Sequence, residues 1–177
     1  VNGADYAEIV NVINLYAIAV DAHRYTLFEN VFTEDIRCDF GGGAAFTDRQ
    51  TLCSVFADIH AVFDATQHIT SGHAITVDGN RANCLSYVSA KFRRKIAEVD
   101  CVFDSTGWYD DLLVRTAGGW RIKDRTSRMV TYGGDVRVMQ VMPGVKTNYT
   151  LLSLASEDAA GRIKFFGERS GAGTAVE

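Results

Sequence analysis

The strongest constraint on this chain is a change of hydrophobic period near residue 66. Before it, apolar residues recur at three- and four-residue steps, the spacing of one helix face. In "DYAEIVNVINLYAIAVDAHRY" (5–25) the stripe is Ile9, Val12, Ile13, Tyr16, Ala17 and Val20, and Asp5 and Glu8 stand at capping-box spacing. A second short helix is expected to carry Leu27, Phe28, Val31 and Phe32. A third is expected from Thr47, with Gln50 as its box partner and Leu52, Val55, Phe56, Ile59, Val62 and Phe63 as its stripe. Between them, "IRCDF" (36–40) alternates like a strand that "GGG" (41–43) ends. Those glycines lack the spacing of a phosphate loop.

From residue 66 the period is two. "QHITSGHAITV" (67–77) turns at "DGN" (78–80) into "RANCLSYVSAKFRR" (81–94). "KIAEVDC" (95–101) reads as a linker. "STGWYDDLLVRT" (105–116) and "GWRIKDRTSRMV" (119–130) form a hairpin about Ala117, Gly118 and Gly119. Helices followed by long antiparallel strands define an α+β chain, with about three N-terminal helices on one face of a curved antiparallel sheet. One domain is expected over 1–135. An extension follows over 136–177, partly ordered and ending in a disordered "RSGAGTAVE".

Composition excludes several classes. The net charge is −4, and the densest basic cluster is "KFRRK" (91–95), too little for a nucleic-acid surface. Cys38, Cys53, Cys84 and Cys101 show no CxxC spacing, so neither zinc nor a redox motif is expected. They read as reduced, mostly buried residues of a cytoplasmic protein. No apolar run approaches membrane-spanning length. Leu112, Val114, Ile122 and Val130 give the strands more apolar surface than water favours. A homodimer or homotrimer through the sheet is therefore expected, and "TLLSLA" (150–155) is expected either to lid a pocket or to join that interface.

Two of the four histidines, His68 and His73, lie in one strand, five residues apart. Barring a bulge they point to opposite faces, which argues against a shared metal, and neither has a standard ligand offset. His68 shares its parity with Thr70, Gly72, Ala74 and Thr76, a small polar face that suits either solvent or a ligand cavity. Asp21 ends the first helix beside its apolar stripe, where the helix dipole disfavours a carboxylate. His23 and His60 match no motif and read as surface residues. Trp108 and Trp120 read as core. Arg125 lies five residues beyond Trp120 and so points opposite to it on an ideal strand; an anionic substrate group or an ion pair would each account for it.

Several of these segments, in this order, resemble the SnoaL-like branch of the NTF2-like superfamily: Tyr16 with Asp21, "FTEDIRCDFGGG" (32–43), "TQH" (66–68), "VDGNRA" (77–82) and "GGWRIKDR" (118–125). Within it the chain is similar to the scytalone dehydratase, bile acid 7-alpha-dehydratase and hexachlorocyclohexane dehydrochlorinase group. The resemblance implies a cone-shaped pocket between helices and sheet. It also implies an Asp–His pair matching Asp21 and His68, and an assisting tyrosine matching Tyr16. Val20 replaces the tyrosine that scytalone dehydratase has before its Asp. The group's second acid is not evident around Ala90–Arg93; Tyr87 or Lys91 stands nearest.

The expected function is a cofactor-independent, metal-free lyase of the dehydratase type, or an isomerase. Asp21 and His68 would form its general base on a small apolar, aromatic or polycyclic ring compound, with Phe28, Phe56, Tyr87 and Arg125 as substrate contacts. The alternative is a noncatalytic NTF2-like ligand-binding or assembly subunit. An epoxide hydrolase of the limonene type would need an Asp–Arg–Asp set that the sequence does not place.

Overall fold

The computed structural model describes residues 1–141 and 149–167. Helix α1 runs Gly3–Asp21. Its N-cap is Asn2, whose Oδ1 accepts from Asp5 N at 2.9 Å while its Nδ2 donates to Asp5 Oδ2 at 3.0 Å. The helix therefore starts before the expected Asp5–Glu8 box, and those two carboxylates fasten it to the sheet instead. Asp5 Oδ1 accepts from Trp120 Nε1 at 3.1 Å and from Arg115 at 2.5 Å, and Glu8 Oε1 accepts from Trp120 N at 2.8 Å. The stripe Ile9, Val12, Ile13, Tyr16, Ala17 and Val20 is buried as its periodicity requires.

After α1, His23 takes a left-handed φ of 53°, and the chain enters a short 3-10 helix, Tyr25–Asn30. The second expected helix stops there; Val31 and Phe32 lie beyond it, and Phe32 opens strand β1 (Phe32–Asp39). Strand β2 is Ala45–Phe46. Helix α2 is Arg49–His60, capped by Asp48, which accepts from Thr51 N at 2.7 Å, rather than by Thr47. Val62 and Phe63 follow the helix, with Phe63 still buried.

Strands β3 (Ala65–Asp78), β4 (Arg81–Ile96), β5 (Val99–Thr116) and β6 (Gly119–Gly134) complete one six-stranded sheet, ordered β2-β1-β6-β5-β4-β3. All pairings are antiparallel except β1 with β6. This is an α+β, NTF2-like architecture, with α1 and α2 covering the sheet's inner face. The expected linker 95–101 is a tight hairpin. Ile96 pairs with Val99 across Ala97 and Glu98, both left-handed at φ 48° and 65°, as a two-residue type I′ turn demands. Neither is a usual turn residue, which hid the turn in the sequence.

Two bulges alter the expected parity. Ser71 pairs with Tyr87 but Ala74 with Leu85, so Gly72 and His73 together oppose Ser86. Gly72 supplies the left-handed φ of 63°. His68 and Ile75 thereby share the inner face with their partners Ala90 and Cys84. His73 does not point away from it either: past the bulge it shares the parity of inner-face Ile75 and Val77, and it is half-buried. A second irregularity, at Lys123, skips one residue between Ile122 and Asp124. Trp120 and Arg125 therefore both face inward, contrary to ideal alternation.

The outer face is partly covered by the chain's own C-terminal part. Leu152 N donates to Met129 O at 2.9 Å. Helices α3 (Leu154–Ala159) and α4 (Lys164–Gly167) then bring Leu154, Ile163 and Phe165 onto Leu85 and Trp108. Outward-facing Asp110 accepts from Lys164 N at 2.6 Å and Phe165 N at 3.2 Å. "TLLSLA" thus leads onto the outer face rather than over the pocket. Ile122, counted above among exposed apolar surface, is buried on the inner face, while Ile69 and Tyr87 remain exposed. The expected disordered end falls outside the described residues.

One glycine is set by a close approach. A Cβ on Gly107 would lie 2.0 Å from Arg128 O in the neighbouring strand. Because backbone must move to admit it, Gly107→Ala is expected to cost about 2–3 kcal/mol. A lowered urea midpoint with an unchanged slope checks this.

Candidate active site

Asp21 and His68 meet because α1 ends where β3 begins beneath it. Three donors converge on the carboxylate. Thr66 Oγ1 donates to Oδ1 at 2.8 Å, His68 N donates to Oδ2 at 2.7 Å, and the His68 ring donates from Nδ1 to Oδ1 at 2.7 Å. Burial alone would raise the Asp21 pKa. The His68 ring, the His68 backbone and Thr66 outweigh it and hold the carboxyl below its ordinary value. They also offset the unfavourable end of the helix dipole. An ionised carboxylate only accepts, so in the neutral His68 ring the proton sits on Nδ1 and the lone pair on Nε2. The His68 side chain is 8% exposed and stands edge-on to Phe92.

His68 lines a cavity of about 270 Å³ between helices and sheet. Its apolar walls include Phe46, Phe56, Phe63, Val88 and Phe92, and its polar groups include Tyr16, His60, Tyr109 and Arg128. Arg128 is engaged at the wall, donating from Nη2 to Asp39 Oδ2 at 2.7 Å.

Tyr16 and Tyr109 form a second polar centre. Their rings meet edge to face, 5.9 Å apart between centres, and both line the cavity. Each phenol carries an O–H that can donate to a ligand. Burial pushes the Tyr16 pKa well up and that of Tyr109 up to about 12, so both are neutral donors at pH 7. Behind them lies Arg125, its guanidinium 4.3 Å from the Tyr16 ring centre and 4.1 Å from that of Tyr109. Arg125 Nε and Nη2 donate to the two Asp111 oxygens at 2.8 and 2.7 Å, and both side chains are wholly buried. Burial by itself would favour neutral Arg125; the Asp111 carboxylate reverses this and keeps the cation. A cation against two phenol faces makes their O–H groups stronger donors.

The sequence-derived substrate contacts divide. Phe56 lines the cavity. Phe28 is fully buried in the core behind Tyr16, at 5.7 Å between ring centres, and is not part of the lining. Arg125 backs the tyrosines instead of touching the cavity. Tyr87 pairs with Trp108 on the outward side of β4 and is 56% exposed, so strand parity removes it from the pocket. Lys91, of the same parity, is exposed too.

Sequence reasoning missed Tyr109 and His60. His60 is 6% exposed and lines the cavity rather than the surface. It lies four residues after Phe56 and eight after Leu52, so the α2 stripe carried the signal. Burial pushes its pKa down to about 4. The unfolded chain, with an ordinary value near 6.5, then binds more protons between about pH 4 and 6.5, and stability rises with pH across that window. The wild type is expected to lose up to about 3 kcal/mol relative to His60→Phe as pH falls from 6.5 to 4. Urea unfolding of both proteins at a series of pH values checks this. Among the described residues no cluster of three or more His, Cys, Asp or Glu side chains is arranged to hold a metal ion, and no helix is long and apolar enough to cross a membrane.

A helix-covered curved sheet around a mostly apolar pocket defines the SnoaL-like class within the NTF2-like fold, and the model of the SnoaL-like domain matches residues 3–126. This chain belongs to that family. It is 31% identical over 129 residues to Rv2910c, an uncharacterized protein of Mycobacterium tuberculosis, an alignment covering 67% of this chain and 81% of the relative. Among solved structures it is similar to a candidate scytalone dehydratase from Novosphingobium aromaticivorans. That match has a TM-score of 0.70 and 20% identity, covering 85% of this chain and 95% of the other. It is also similar to the hexachlorocyclohexane dehydrochlorinase LinA-type3 from Novosphingobium barchaimii, with a TM-score of 0.65 and 13% identity over 85% and 96% of the two chains. At these identities the two structures establish the shared fold.

Proposed function

We propose that the chain is a cofactor-independent lyase or isomerase acting on a small ring compound, with His68 as general base. The observation that carries this reading is the 2.7 Å bond from His68 Nδ1 to Asp21. It fixes the tautomer that leaves Nε2 as proton acceptor, at a histidine that lines an apolar cavity. An imidazole so held removes a proton from a carbon next to a carbonyl, and Asp21 stabilises the imidazolium that forms. A phenolic O–H of Tyr16 or Tyr109 bonds the substrate carbonyl and stabilises the developing enolate. Return of that proton from the imidazolium to the hydroxyl on the adjacent carbon releases water, or a halide leaves there as the anion, and either completes an elimination. Return of the proton at another carbon completes an isomerisation.

A cavity of about 270 Å³ suits one or two rings. The dehydratase and dehydrochlorinase names among the fold's neighbours agree with this chemistry. Among the described residues no carboxylic acid lines the cavity, a feature shared with a noncatalytic ligand-binding subunit, and the same experiment separates the two readings. Cyclic β-hydroxyketones and cyclic enones are incubated with the protein in D2O and followed by NMR. Elimination or deuterium incorporation by the wild type, absent in His68→Ala, is the expected result. Equal inertness of both across the panel would leave the binding reading.

A further inference from the structure

His60 holds a polar atom that the reaction proposed above does not use. Its Nδ1 lies 2.8 Å from the Phe56 carbonyl oxygen, one turn back in α2. A carbonyl only accepts, so Nδ1 carries the proton and Nε2 presents a lone pair. Nε2 meets no hydrogen-bond partner among the described residues. The ring packs in an aromatic collar, 5.1 Å from Phe56, 5.8 Å from Phe63 and 6.1 Å from Tyr25 between centres, and it lines the cavity. The contrast with His68 is chemical. No carboxylate bonds His60 to stabilise an imidazolium, and burial keeps it neutral well below pH 7. It is therefore suited to accepting a hydrogen bond and unsuited to taking a proton.

We propose that His60 is a specificity residue of this cavity, accepting a hydrogen bond from a hydroxyl group on a one- or two-ring ligand, so that the pocket favours phenols and ring alcohols over their ethers. The proposal deepens the substrate class of the reaction above and rests on the same cavity. A ligand with an ether in that place would cover Nε2 without pairing it, and a dry, unpaired acceptor is costly. Taken with the donor at Tyr16 and Tyr109, the pocket would read a carbonyl at one place and a hydroxyl at another.

The test is calorimetric titration of 2-naphthol and 2-methoxynaphthalene into the wild type, His60→Phe and His68→Phe. His60→Leu is carried in parallel should the phenylalanine variant fail to fold. The wild type is expected to bind the naphthol about tenfold more tightly than the ether. The His60 variants are expected to bind the two alike through loss of naphthol affinity, and His68→Phe to retain the preference. A preference that persists without His60, one lost only in His68→Phe, or a wild type that does not discriminate or binds neither probe overturns the proposal. Turnover plays no part in this readout. A chain that catalyses nothing yet shows the His60-dependent preference sinks the lyase reading and leaves this one standing. Turnover with no preference does the reverse.

Discussion

Asp21→Asn is expected to lower kcat/KM by about a thousandfold on whichever ring ketone the wild type turns over, within the range ascribed to positioned general bases. The reason lies in the three donors that converge on the carboxylate. An amide has one acceptor oxygen and one NH2. If the NH2 faces the imidazole, His68 must accept at Nδ1, which moves its proton to Nε2 and removes the base from the cavity. If the NH2 faces the His68 backbone N–H instead, two donors collide. Neither arrangement keeps both ring orientation and tautomer. The imidazole nitrogen shifts of His68 in 15N NMR provide a second readout that needs no substrate. The wild type is expected to show a protonated Nδ1 and an unprotonated Nε2, and Asp21→Asn the reverse or a mixture. A wild type with the proton on Nε2 would defeat the assignment of His68 as base.

The largest expected effect on stability belongs to the pair behind the tyrosines. Arg125→Met leaves the wholly buried Asp111 carboxyl without its cation, and Asp111→Leu strands the buried guanidinium in the same way. Each is expected to destabilise the fold by about 3–5 kcal/mol, whereas the double replacement recovers most of the loss. Urea unfolding of the two single variants and the double variant gives the coupling directly. The double variant is also expected to show weaker catalysis, because the cation behind Tyr16 and Tyr109 is gone. Single variants as stable as the wild type would mean that the pair is not held as described.

Much of the architecture was legible because period is a one-dimensional signal. The α1 stripe, the α2 stripe and both Gly-containing hairpin turns followed from residue order alone. Asp21 and His68 were legible only through family resemblance, since nothing in spacing says that residue 21 will meet residue 68. Orientation was lost wherever the ladder skips a residue. Alternation set His73 against His68 and Arg125 against Trp120, and each conclusion was reversed by one bulged residue. Gly72 hints at the first bulge; nothing marks Lys123 as the second. Asp111 and Arg125 lie 14 positions apart on adjacent strands, so their bond depends on a register that the sequence does not display.

The two tryptophans lie on opposite sides of the sheet. Trp120 is enclosed beneath α1 on the inner side, and Trp108 lies on the outer side under Ile163 and Phe165. Each is therefore a native optical reporter for a different layer. A chain keeping only Trp108 would change its emission when residues 149–167 peel away, and a chain keeping only Trp120 would stay silent until the helices separate. Comparing the two signals along one denaturation curve would reveal whether the C-terminal part is fused to the domain's cooperative unit or rides on it as a detachable cover.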